Sequence, residues 1–336
     1  MLVALAKVAL ALALLTYLLN QAKEHDMFTK LVEQPKHWPL LFAGLGCTLT
    51  ATTLTFVRWH LLVQAVGIRT RLLDTMRLGS LGYALNFVSL GSIGGDFFKA
   101  IFLAHGQRGR RTEAVATVVA DRVLGLMTFL ILASLGILAA NLTDRASPAL
   151  TALCNAILVT AAVALAGAAI TLLVPHITGP RMIAWAHGLP LVGPTASRLL
   201  AAVATYRNQK RVLAAAAAVS FAANIFNITA VYLVASGLPV ERPTYREHFV
   251  IVPVANMVGA IPATPNGLGT REAAVDLLYR TVPRNHRIAE GVGTMVALAH
   301  RVTEMTVAVL GLIYYLSHRR EVREVYHEAE EVAEAV

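Results

Sequence analysis

The chain has 336 residues, 56% of them hydrophobic and 15% charged, with a mean hydropathy of +0.61. Soluble domains average about 45–50% apolar and about 25% charged, and here the excess gathers in runs too long for buried core helices, which excludes soluble enzymes, nucleic-acid modules and disordered chains. The net charge of +9 belongs mostly to short segments between those runs, where basic residues set the orientation of spans rather than bind nucleic acid.

In chain order the first run is Leu2–Leu19. Lys7 lies inside it, and Leu19-Asn20-Gln21-Ala22-Lys23 lacks a small-x-small cleavage pattern, so the sequence predicts a retained span rather than a signal peptide. Pro39–Val57 follows, then the glycine-broken stretch Gly79–Gly95, which leads into the short amphipathic run Asp96–Ala104. Ala114–Ala140, Ala149–Val174 and Val212–Ser236 are unbroken. Phe249–Ile261 is broken by Pro262-Ala263-Thr264-Pro265-Asn266-Gly267-Leu268-Gly269 before Thr270–Tyr279, and Gly291–Leu316 is the last span.

Each unbroken run has about the 17–25 residues that cross hydrocarbon as a helix, far more than a barrel strand needs. The fold class is therefore an all-α polytopic membrane protein. It has six full spans and two re-entrant helical hairpins, at about 79–104 and 249–279, in one domain over 1–316. Irregular backbone at membrane depth must face protein or water. A kinked full span is the other reading of each broken stretch. The tail 317–336 is a charged helix with basic residues first and acidic residues last, solvated or bound to headgroups or a partner.

With a cytoplasmic N-terminus, 15 Lys and Arg fall in inside segments, Arg58 and Arg77 among them, and 9 fall outside. The bias places both termini in the cytoplasm of a cell (inner) membrane protein. Cys47 and Cys154 sit in apolar runs and read as small apolar side chains.

The two broken stretches share an order of features. The first runs Asn86, Gly94-Gly95-Asp96, then a span with Asp121-Arg122; the second runs Asn256, Gly267-Leu268-Gly269 with Glu272, then a span with Arg301 and Glu304. Three crossings separate the hairpins, so the second enters from the opposite face and the halves form an inverted-topology pair.

Asp121, Arg122, His300, Arg301 and Glu304 lie well inside apolar runs, where a charge costs at least about 2.5–3.5 kcal/mol. Arg301 and Glu304, spaced i,i+3, share a face and can pair, whereas Asp121 and Arg122 point about 100° apart and need partners on other helices. The expectation is that Arg122 and Arg301 converge with Asp121, Glu304 and Glu272 in one wet cavity. Buried ion pairs that only fix helix register are the structural alternative. Gly267-Leu268-Gly269-Thr270 opens a short helix with Arg271 and Glu272 in its first turn, and Gly94-Gly95 precedes Asp96 and Lys99 in the same way. Helix N-termini with free N–H groups suit an anion. Lys99 either holds a phosphate or snorkels to the interface.

No nucleotide loop, nucleophile elbow, zinc pair or histidine cluster occurs, so no cofactor, no metal and no catalytic residue is expected.

The order Asn86…Gly95-Asp96-x-x-Lys99…Asp121-Arg122, then Ile261-Pro262-x-x-Pro265-x-Gly267-Leu268-Gly269-x-x-Glu272, then Arg301, resembles the transmembrane region of lysylphosphatidylglycerol synthases, over roughly Leu2 to Leu316. The resemblance implies a helical membrane domain with two re-entrant hairpins that moves an aminoacylated phospholipid between leaflets. Pro265-Asn266-Gly267 stands where the family usually has Pro-Gly-Gly, and Gly125 where it often has Asp. The synthases continue into an aminoacyltransferase domain; here a short tail follows the last span, so lysyl-lipid synthesis by this chain is not expected.

The function expected is a lipid translocase. Arg122, Arg301 and the Gly267–Thr270 helix start would hold a phosphate-bearing headgroup, which the resemblance allows to be aminoacylated. Asp96, Lys99, Asp121, Gly269, Arg271, Glu272 and Glu304 would complete the site, and Asn86, Gly94, Gly95, Asn256, Pro262 and Pro265 would shape the hairpins. Membrane lipids are the expected partners, with a lipid-synthesis enzyme as a candidate protein partner and no nucleic acid. The rival readings are a polyprenyl-phosphate-dependent glycosyl- or phosphotransferase, with Asp96 or Asp121 as base, and a non-transporting scaffold.

Overall fold

The computed structural model describes residues 16–17, 33–88, 94–105, 111–142, 148–174, 179–189, 193, 197, 200, 204, 206–207, 209–261, 263–283 and 288–317. The Leu2–Leu19 span (all but two residues), Pro262 and the charged tail lie outside them. The described residues form ten α-helices: α1 Trp38–Ala65, α2 Leu72–Val88, α3 Gly94–His105, α4 Arg111–Ala139, α5 Pro148–Leu173, α6 Pro180–His187, α7 Lys210–Gly237, α8 Tyr245–Ala260, α9 Thr270–Thr281 and α10 Val292–Ser317. Five of these, α1, α4, α5, α7 and α10, are long and apolar enough to cross a membrane, and no strand occurs among the described residues.

The expected spans shift at their ends. The run read as Pro39–Val57 continues as helix through Ala65, because Arg58-Trp59-His60 is as compatible with helix as the apolar residues before it. It stops where Gly67, at φ +78°, takes the left-handed conformation that terminates helices and donates its N–H to the Gln64 carbonyl at 2.9 Å. The hairpins also begin earlier than their apolar cores, at Leu72 and Tyr245. Tyr245 starts α8 because Thr244 caps it: Thr244 accepts from Glu247 N–H at 3.4 Å, and Glu247 Oε2 accepts from Thr244 N–H at 2.7 Å.

Both broken stretches fold as paired helical arms, α2 on α3 and α8 on α9. The second arms have 12 residues each, about 18 Å at 1.5 Å per residue, short of the roughly 30 Å hydrocarbon core. The arms close on glycines. A Cβ on Gly95 would lie 1.8 Å from the Gly82 carbonyl oxygen, and one on Gly267 would lie 2.7 Å from the Gly259 carbonyl oxygen. The second turn is built from left-handed backbone at Asn266 (φ +47°), Gly267 (φ +64°) and Gly269 (φ +83°).

The chain repeats one unit: span, arm, arm, span. In the first copy this is α1, α2, α3, α4; in the second it is α7, α8, α9, α10. Contacts between helices obey the same symmetry. Within each copy the second arm packs on the first arm and on the following span, and across copies α4 packs on α8 as α10 packs on α2. α1 and α7 run along each other and join the two copies. α5 packs on α4 outside this arrangement, with most of its apolar surface exposed. The apolar core of the second copy joins α4, α5, α7, α8, α9 and α10 through Ile137, Cys154, Ile228, Ile251, Tyr279 and Val296; the first copy is centred on Trp59, Leu62 and Val63.

Candidate functional site

Between the copies lies a cavity of about 290 Å³. Its floor on α1 is a polar stripe, Thr48, Thr52, Thr55 and Arg58, spaced so that all four share one helix face. α7 contributes Asn224 and Asn227, α2 contributes Tyr83 and Asn86, and α8 contributes Asn256. The charged lining comes from α1, α3, α4, α9 and α10: Arg58, Lys99, Arg122 and Arg271 with Asp96, Asp121 and Glu304.

These charges form a network that no two neighbouring residues would make alone. Arg58 Nε donates to Asp121 Oδ1 at 2.7 Å, and Arg58 Nη1 donates to Ser220 Oγ at 2.8 Å. Asp96, in the first turn of α3, accepts from Arg122 Nε and stands 3.4 Å from Lys99 Nζ. Lys99 Nζ also sits over Trp59, 5.5 Å from the ring centroid. Arg271 grips Glu304 with both terminal nitrogens, each at 2.7 Å, the forked geometry that arginine and carboxylate share. Asn256 Nδ2 donates to Asn227 Oδ1 at 3.0 Å, and Asn86 Oδ1 accepts from Gly95 N–H at 3.0 Å, so both asparagines brace the hairpins while lining the cavity.

Glu272 and Arg301 lie behind this lining, as do Gly267 and Gly269. Arg301 Nε donates to Glu272 Oε1 at 2.6 Å, and Glu272 Oε2 accepts the N–H of Gly269 at 2.7 Å, closing the start of α9. The i,i+3 pairing of Arg301 with Glu304 is therefore not made. Glu272 offers Arg301 a carboxylate held by a second bond, and Arg271 offers Glu304 a two-pronged partner, so tertiary geometry displaces the local pair. Pro265 opens the 3₁₀ turn Pro265–Gly267 that sets α9 in place.

The two copies thus carry the same device. Asp96 and Glu272 each occupy the third residue of a second arm, and each binds an arginine of the following span, Arg122 or Arg301. The exposures differ: the Arg122 side chain is 48% exposed, that of Arg301 is 6% and that of Glu272 is 0%. One copy of the pair faces the open cavity; the other is sealed.

The sequence model for the lysylphosphatidylglycerol synthase TM region matches residues 4–311. The chain belongs to this family. Comparison with curated proteins found no match. As a member of the lysylphosphatidylglycerol synthase TM family it is an integral membrane protein related to membrane lipids. Its two departures from the family pattern both lie beside the charged side chains of the site. Asn266 replaces glycine at a left-handed position, which asparagine tolerates better than other side chains, and its carbonyl faces Arg301 Nη1 at 3.5 Å. Gly125 faces Arg58: a Cβ there would touch Nη1 of that guanidinium at 3.4 Å, an ordinary contact distance, so an acidic side chain at this position would stand beside Arg58.

Arg58 and Arg271 take ion-pair roles that the sequence pattern did not assign. Ending the span at Val57 assigns Arg58 to a loop, yet it is buried in α1 beside Asp121, and Arg77, another charge outside the apolar runs, is buried in α2. The signal for Arg58 is the stripe Thr48, Thr52, Thr55, a polar face continuing past the end of the apolar run. Asn224 and Asn227, spaced i,i+3 in α7, give the same kind of signal.

Proposed function

We propose that this protein is a lipid translocase that carries a phosphate-bearing headgroup between leaflets of the cell membrane, both termini facing the cytoplasm. The observation that supports it is the charged cavity at the junction of the two copies, bounded by helices of membrane length. A pocket of about 290 Å³ lies just below the range of drug-sized ligand sites, about 300–1,000 Å³, which suits a headgroup while the acyl chains stay in lipid. Opposed re-entrant hairpins supply the moving parts. In the translocase reading the copies exchange conformations: the cavity closes over Asp96 and Arg122 and reopens at Glu272 and Arg301, presenting the headgroup to the other side. No chemistry is performed on the lipid, so the protein is not an enzyme in this account.

The test is headgroup translocation of labelled anionic, zwitterionic and aminoacylated lipids in proteoliposomes holding the full chain. Selective translocation without metal or sugar donor is the expected result. Turnover of a polyprenyl-phosphate donor with no translocation of any lipid would contradict it and favour a transferase.

A further inference from the structure

Among the described residues, the cavity lining carries one more cation than carboxylate: Arg58, Lys99, Arg122 and Arg271 against Asp96, Asp121 and Glu304. The pair behind it, Arg301 with Glu272, is balanced and leaves that difference unchanged. Each lining carboxylate is already engaged by an arginine, Asp121 by Arg58, Glu304 by both prongs of Arg271, and Asp96 by Arg122. Asp96 also serves Lys99 at 3.4 Å, so at this corner one carboxylate faces two cations.

An ammonium group entering the cavity meets, among the described residues, no carboxylate that is not already engaged. To gain one at Asp121 or Glu304, both largely shielded from solvent, it must strip a buried arginine of its partner, which is costly, and at Asp96 it must compete with two cations at once. An anion meets the opposite situation. Lys99 holds Asp96 by a single long contact and has a flexible stem, so it can turn toward a phosphate while Arg122 stays on Asp96. The rest of the polar lining is neutral, notably the amides of Asn224, Asn227 and Asn256, which both donate to and accept from hydroxyl groups.

We infer that the site selects lipids whose headgroup is a net-anionic phosphodiester completed by neutral hydroxyls, a phosphoglycerol or phosphopolyol, and disfavours ammonium-bearing headgroups, aminoacylated ones included. Lys99 reads the charge. The inference rests on the translocase cavity proposed above and narrows its substrate.

The test is binding, read by mass spectrometry of lipid retained by the full chain in phosphatidylcholine nanodiscs. The probes are phosphatidylglycerol, phosphatidylinositol, phosphatidylethanolamine and lysylphosphatidylglycerol, with inorganic phosphate as a separate competitor arm. The two hydroxylated anionic lipids are expected to bind at least about tenfold tighter than the two ammonium lipids. Lys99→Gln is expected to reduce that preference about tenfold, and Lys99→Arg to keep most of it. Gly125→Asp sets a carboxylate beside Arg58, evens the charge of the lining and is expected to erase the preference. Equal or tighter binding of lysylphosphatidylglycerol overturns the inference, as does a wild-type preference in Lys99→Gln. Displacement of every lipid by inorganic phosphate at equal concentration overturns the lipid as the source of the anion. Anionic selectivity without transport in proteoliposomes counts against translocation and leaves the ligand assignment standing. Transport of the cationic lipid in preference does the reverse.

Discussion

Replacing Arg271 with alanine is expected to cost the folded chain about 3–5 kcal/mol, the typical penalty for leaving one partner of a buried ion pair uncompensated. Glu304 receives both prongs of Arg271, and both side chains are nearly shielded from solvent. Without Arg271, Glu304 keeps, among the described residues, only His300 within ion-pair range, at 3.7 Å. Arg271→Lys retains the charge but loses the fork, and an intermediate loss is expected. Arg271→Ala combined with Glu304→Ala is expected to lose less than the sum of the single changes, because neither charge is then stranded. Denaturant unfolding of the detergent-purified variants in a double-mutant cycle measures this; additive losses would show that the pair is energetically idle.

The second large effect is at Glu272. It holds Arg301 with one oxygen and the Gly269 N–H with the other, and no part of its side chain reaches solvent. Glu272→Ala removes a buried charge partner and a helix-start acceptor together, so about 3–5 kcal/mol is again expected, with a further share of about 0.5–2 kcal/mol for the lost cap. Glu272→Gln can still accept from Gly269 but cannot neutralise Arg301, and is expected to fall between wild type and alanine. The pseudo-equivalent change, Asp96→Ala, is expected to be milder, because Arg122 is half exposed and open to water, and Lys99 loses only a long contact while keeping its place over the Trp59 ring. Ranking the unfolding free energies of the three variants checks the difference between the sealed copy and the open one; equal losses at Asp96 and Glu272 would deny it.

Much of this fold is legible in the sequence, because a membrane constrains strongly. Apolar runs of fixed length announce spans, and a glycine- or proline-broken stretch announces paired short arms. The repeat is visible as Asn86, Gly95 and Asp96 against Asn256, Gly269 and Glu272. What the sequence hides is pairing. Arg301 and Glu304 are local neighbours by spacing, but α9 lies against α10 and offers each a better-held partner. Arg58 is hidden for another reason: ending a span at its first charge assigns that charge to a loop, although the helix continues two further turns to Ala65. Asp121 and Arg122, adjacent in sequence, do bind different helices, as their angular separation predicts.

The cluster around Asp96 offers the most direct test that the headgroup passes through this cavity. Asp96→Asn, Lys99→Gln and Arg122→Gln together replace three charges with neutral groups of similar shape and strand none of them. The triple variant is expected to fold, with an unfolding midpoint near wild type, and to lose headgroup translocation in proteoliposomes. A folded triple variant that moves lipid at the wild-type rate would contradict the account, because transport would then follow a path that does not pass between the two copies.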